Sequence, residues 1–152
     1  MDRLPDALVR RLDGTGLAER HGESMRLCTV DADGWPHGAE LSEAEVLAVG
    51  DREVRLCVWP ASGTTANLRR SGRATLLIAH GGAVWEVRMQ AAERPAPEAA
   101  PDLAYFRGTV ESVREHRAKY AEVTSGPRYR LHDPSSVLPR WEAQVAALRR
   151  MA

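Results

Sequence analysis

The sequence is short of cysteine, lysine and phenylalanine and has no long apolar run, and each shortage closes off a class of protein. Two cysteines, Cys28 and Cys57, cannot staple a disulfide scaffold and lack metal-ligand spacing. Each sits in an apolar, strand-like run and reads as a reduced, buried thiol. Apolar runs such as Ala74 to Ala79 fall far short of the roughly 20 residues a helix needs to cross a bilayer. The opening Met-Asp-Arg-Leu-Pro-Asp has no basic segment leading into an apolar one. These absences predict a soluble, cytoplasmic chain with no membrane partner. An excess of either charge is missing too, because 21 basic and 21 acidic side chains cancel. Residues 1–76 carry 10 basic and 12 acidic groups and the remainder 11 and 9, so neither half offers a phosphate-tracking surface and no nucleic-acid partner is expected. All the cations but Lys119 are arginines, scattered through every segment as codon bias would leave them.

What remains is ordinary globular material. With 152 residues, 43% hydrophobic and 28% charged, the chain fits one domain with a single core. Leu4, Leu8 and Leu12 recur behind Pro5, with Gly14 and Gly16 as a stop, which predicts an N-terminal helix within residues 1–20. Met25–Val30 and His37–Leu41 flank the turn signal Asp31-Ala32-Asp33-Gly34, an extended stretch continues through Val46–Val49, and Val54, Leu56 and Val58 alternate with polar neighbours. Ser62 to Arg70 reads as one or two helical turns. Strand character returns at Ala74–Ala79, Val84–Gln90 and Tyr105–Val113, with a Pro-rich connector at Arg94–Pro101. Leu138, Trp141, Val145 and Leu148 share one face of a terminal helix. The expected fold is mainly β: six antiparallel strands over 25–113 closing into a small barrel, with peripheral helices and a helical tail over 114–152.

Catalytic signatures are missing. There is no nucleophile elbow, phosphate-binding glycine loop, dinucleotide fingerprint or zinc-protease helix. His21, His37, His80, His116 and His132 are isolated in sequence and read as surface or turn residues. No residue stands out as an acid, base or nucleophile, and no metal site is expected. One segment does carry a physical mechanism. Trp59-Pro-Ala-Ser-Gly-Thr-Thr-Ala-Asn67 leaves a strand and enters a helix, with Ser62 as cap and backbone N–H groups near Thr64 and Thr65 free to meet an anion. A plain capped helix explains the same residues.

In order and spacing these segments resemble the pyridoxamine 5′-phosphate oxidase-like FMN-binding split barrels, in an uncharacterised bacterial branch. The resemblance runs from Leu27 to Val113. It rests on Leu27-Cys-Thr-Val-Asp-Ala-Asp-Gly-Trp-Pro-His37 and on the strand–helix–strand passage from Leu56 through Ser62 and Asn67-Leu68 to Ile78. It implies an FMN-dependent oxidoreductase acting on a small molecule, with FMN between the subunits of a homodimer. Trp59, Ser62, Gly63, Thr64, Thr65 and Asn67 are the implied cofactor-binding residues. The dimer is also expected because Trp59, Trp85, Val87 and Met89 look hard to cover within one small barrel.

The departures from the family are specific. Its second-strand phosphate-gripping cations are replaced by Ala39 and Ala44, and the Arg-Lys pair after the loop serine by Gly63 and Thr64. Arg26, Arg69, Arg70 and Arg88 are the available compensating charges. Arg130-Leu-His-Asp133 echoes a substrate-binding motif of the true oxidases, but Pro134 follows it, and the echo reads as coincidence, so vitamin B6 oxidation is not expected. The alternative function is a non-catalytic dimeric binding or stress-response module on the same fold, holding heme, a deazaflavin or no cofactor.

Overall fold

The computed structural model describes residues 1–152. Seven strands run as β1 (Met25–Val30), β2 (Pro36–Leu41), β3 (Val46–Val49), β4 (Glu53–Val58), β5 (Arg73–His80), β6 (Ala83–Arg94) and β7 (Ala104–His116). All pair antiparallel in one sheet of order β2-β1-β5-β6-β7-β4-β3. The helices are α1 (Asp6–Arg11), α2 (Leu17–Arg20), α3 (Gly63–Ser71) and α4 (Pro134–Arg150).

The sheet order itself forces curvature. β2 and β3 lie at opposite edges, yet only the residues from Ser42 to Glu45 join them. That connection reaches at most roughly 18 Å, whereas a flat seven-stranded sheet would separate its edges by roughly 29 Å. The sheet must therefore curl into a half-barrel. Accordingly, Leu41 and Val46, from the two edge strands, share one core with Leu27, Leu56, Leu76, Val87 and Phe106. Leu4, Leu8 and Leu12 close the same core from the α1 side.

Strand alternation provides a second, outer core. Leu47, Cys57 and Tyr105 have the opposite parity from Val46, Leu56 and Phe106, and they pack against Trp141, Val145 and Leu148 of α4. The terminal helix thus lies on the outside of the β3–β4–β7 wall, along the face its apolar spacing marks.

Three expectations need correction. The strand count is seven rather than six. Glu45 Oε1 accepts the Ser42 N–H at 2.9 Å and the Glu45 N–H bonds the Ser42 carbonyl at 3.2 Å. This local turn severs the extended stretch, so Val46–Val49 crosses to pair with β4. Second, the N-terminal 1–20 segment holds two short helices, because Gly14 and Gly16 take left-handed φ values of 78° and 70° between them. Third, the tail over 114–152 is helical only from Pro134, since β7 extends to His116 and 117–133 contains no helix.

The reason given for a second copy also weakens. Trp85, Val87 and Met89 are all buried within the single chain, and of the four only Trp59 is exposed, at 66%.

Candidate functional site

The start of α3 is built by local hydrogen bonds. β4 ends at Val58, and the chain turns so that the Ser62 N–H bonds the Trp59 carbonyl at 3.1 Å. Ser62 caps the helix, its Oγ accepting the Thr65 N–H at 3.1 Å, while Thr65 Oγ1 donates to the Trp59 carbonyl at 2.6 Å. The hydroxyls of Ser62 and Thr65 are therefore committed to shaping the turn. Gly63 and Thr64, the first two helical residues, keep backbone N–H groups with no acceptor in the chain, at the positive end of the helix. Thr64 Oγ1 is buried and also has no partner.

Asn67 is almost fully enclosed. Its Nδ2 donates to Thr29 Oγ1 at 3.0 Å and its Oδ1 accepts from Arg70 Nη2 at 3.1 Å. The first bond ties α3 to β1, and the second stays within α3 and holds the amide in that orientation. Thr29 stands opposite His37 in the β1–β2 register, and this places the His37 ring over the helix start. A Cβ added at Gly63 would lie 3.3 Å from His37 Cε1, so only glycine leaves the imidazole in place without a shift. His37 is the residue that sequence reasoning missed. Its signal is visible only once the hairpin register and the Asn67–Thr29 bond are both known. Two large aromatics border the region in sequence, Trp35 at 70% exposure and Trp59 at 66%.

The arginines do not replace the missing cations. Arg26 pairs with Glu40 at 2.6 Å, Arg69 with Glu93 at 2.6 Å and Arg88 with Glu86 at 2.9 Å. Arg70 binds Asn67 and the Val30 carbonyl, and with Arg69 it occupies the last turn of α3, away from the free N–H groups. Ala39 is on β2 as expected, but Ala44 is not on the second strand. It is fully buried in the turn that breaks β2 from β3. Asp133 of the Arg130–Asp133 echo sits at the start of α4, where its Oδ1 accepts from Ser135 Oγ at 2.6 Å, a purely local task.

The two thiols differ. Cys57 is fully buried against α4, and burial, then the nearby Glu45 carboxylate, push its thiol well above the usual range. Cys28 is only partly covered, which corrects the expectation of two buried thiols: its side chain lies on the outer face of β1, alternating with Leu27 of the inner core. A disulfide-exchange reagent should titrate one thiol in the native protein and two after denaturation. Equal native reactivity of both would contradict this placement.

No model of a known protein family matches the sequence. Over 148 residues the chain is 37% identical to the uncharacterised protein YclD of Bacillus subtilis (strain 168), covering 97% of this chain and 96% of that protein. The chain belongs to the YclD family. Solved structures place this YclD-family fold among known barrels. A Lactobacillus delbrueckii protein described as a candidate pyridoxamine 5′-phosphate oxidase is similar with a TM-score of 0.58 at 16% identity, over 75% of this chain and 95% of that one. An FMN-binding protein from Syntrophomonas wolfei is similar at 0.53 and 16% identity, over 72% and 89%. At such identities the likeness establishes the fold alone: a curled antiparallel half-barrel with helices.

Proposed function

We propose that this YclD-family protein is a flavin-binding protein that holds FMN with its phosphate at the start of α3. The observation that carries the reading is the pair of free N–H groups at Gly63 and Thr64, beside the unpartnered Thr64 hydroxyl. A phosphate is the ligand that such neutral donors at a positive helix end suit best. The donor set fits the group's oxygen atoms, and the similarity to an FMN-binding protein of the same fold supports the same choice. Gly63 and Thr64 bind, His37 covers the helix start, and the exposed Trp59 supplies an apolar wall for the ring system. Ser62, Thr65 and Asn67 act by fixing that geometry. When bound, the isoalloxazine supplies the redox chemistry of an oxidoreductase acting on a small molecule.

The missing cations set the strength of binding. A hydrogen bond to a charged group contributes about 1.5–3 kcal/mol, so each absent guanidinium or ammonium weakens FMN affinity roughly tenfold or more. The protein is a weak flavin binder, and a homodimer in which the second copy covers Trp59 completes the site. Protein purified with FMN in every buffer should carry flavin absorbance and scatter light as a dimer of 16.7 kDa chains. A Soret band, or colourless protein under these conditions, would contradict the reading and favour the non-catalytic binding module.

A further inference from the structure

We infer that the cavity between β4, the 99–103 segment and α4 is a second binding site, specific for a small organic cation. The cavity measures about 560 Å³ and is lined by Glu45, Cys57, Trp59, Trp141 and the rim residues Asp102 and Arg140. It lies on the outer face of β4, opposite the core that Leu68 of α3 helps to close, and shares only Trp59 with the flavin reading. Its walls are held in place. Tyr105, fully buried on β7, donates its hydroxyl to the Ala100 carbonyl at 2.9 Å and so pins the 99–103 segment that lines the cavity.

Glu45 gives the cavity its sign. The carboxylate is largely buried, and burial raises its pKa, opposed by its bonds to Ser42. Most other deep carboxylates of the chain have cations: Glu43 pairs with Arg11 at 2.6 Å and Glu53 with Arg55 at 2.6 Å. Glu45 has none within ion-pair distance. It stands where this cavity meets a second one of about 400 Å³, which Trp141 also lines. That neighbouring space is bounded by Tyr129, whose hydroxyl is buried without a partner. An unpaired carboxylate in a cavity that two tryptophans also line is a chemistry that suits an ammonium: the charge pairs with the acid, and an indole face attracts a cation. Asp102 and Arg140 are exposed and of opposite sign, so the rim adds no net preference. The cavity is a cleft open to solvent, and its volume is in the range of small-ligand sites.

The test uses flavin-free full-length protein titrated with benzylamine and with its uncharged counterpart, benzyl alcohol, read by calorimetry and by tryptophan fluorescence. The expected result is saturable benzylamine binding, about tenfold or more tighter than benzyl alcohol. Glu45→Gln keeps an acceptor for the Ser42 N–H, so it should fold, and it should abolish the preference for the amine without changing the alcohol. Equal binding of the two, an amine preference that survives Glu45→Gln, or no benzylamine binding would overturn the inference. None of these outcomes bears on the flavin reading, which depends on the phosphate at α3.

Discussion

Phe106→Ala should cost the protein about 3–5 kcal/mol, the usual loss for removing a fully buried aromatic ring. Phe106 is 0% exposed and sits on β7 between Leu56 of β4 and Glu93 of β6, facing the inner core. It is the only phenylalanine in the chain, so no other ring of that type can repack into the void. A domain of this size has a total stability of about 5–15 kcal/mol, so the loss is a large share of the whole. Each kcal/mol moves the melting temperature by about 2–4 °C in this size class, which predicts a fall of roughly 6–20 °C. Phe106→Leu retains most of the volume and should lose far less. A denaturant midpoint barely moved by the alanine variant would mean that the ring is not the centre of the half-barrel.

Gly72→Ala should be the most damaging change of a single methyl group. Gly72 ends α3 with φ 69°, and its N–H bonds the Leu68 carbonyl at 2.8 Å. Its own carbonyl accepts the Ala91 N–H at 2.6 Å, which docks the helix end onto β6. A Cβ there would lie 2.7 Å from the Ala91 carbonyl oxygen and against the Gln90 side-chain amide. The left-handed backbone costs a non-glycine residue about 1–2 kcal/mol, and crowding against backbone adds about 1–3 kcal/mol. The combined loss should be at least about 2 kcal/mol, read from chemical denaturation. Gly34→Ala is the control. It shares a positive φ of 88° but nothing lies within 4 Å of its added Cβ, so it should carry only the backbone cost. Equal losses at the two positions would show that the docking of α3 on β6 does not matter.

The strand-forming segments and the α4 stripe were legible because alternation and helical spacing are local. Leu47 and Val46, or Cys57 and Leu56, already differ in parity in the sequence, and the fold assigns those parities to two separate cores. A barrel was expected from the strand pattern, but the way this sheet curls was not legible, because β3 pairs with β4 instead of continuing β2, a non-local choice set by the Ser42–Glu45 turn. The candidate site was half legible. The hydroxyl-rich entry to α3 marked the helix start, but spacing could not tell which hydroxyls shape the cap and which stay free. Ser62 and Thr65 spend theirs on the turn, Asn67 spends its amide on Thr29, and Thr64 alone keeps a free hydroxyl. His37 was invisible because its approach to Gly63 depends on register across a hairpin. The unpaired state of Glu45 was equally hidden, since a glutamate among Ser42, Glu43 and Ala44 looks like any turn residue until its surroundings are known.

The central claim, that neutral donors at the α3 start hold a flavin phosphate, is tested most directly by the ratio of FMN to riboflavin affinity in flavin-free protein. The two ligands differ only in the phosphate. Two backbone N–H groups and one hydroxyl meeting a charged group, at about 1.5–3 kcal/mol per bond, predict FMN tighter by at least about tenfold. Thr64→Val, which removes the unpartnered hydroxyl and leaves the Ser62 cap untouched, should reduce that ratio. Riboflavin binding as tightly as FMN would contradict the account and leave the start of α3 as a capped helix and nothing more.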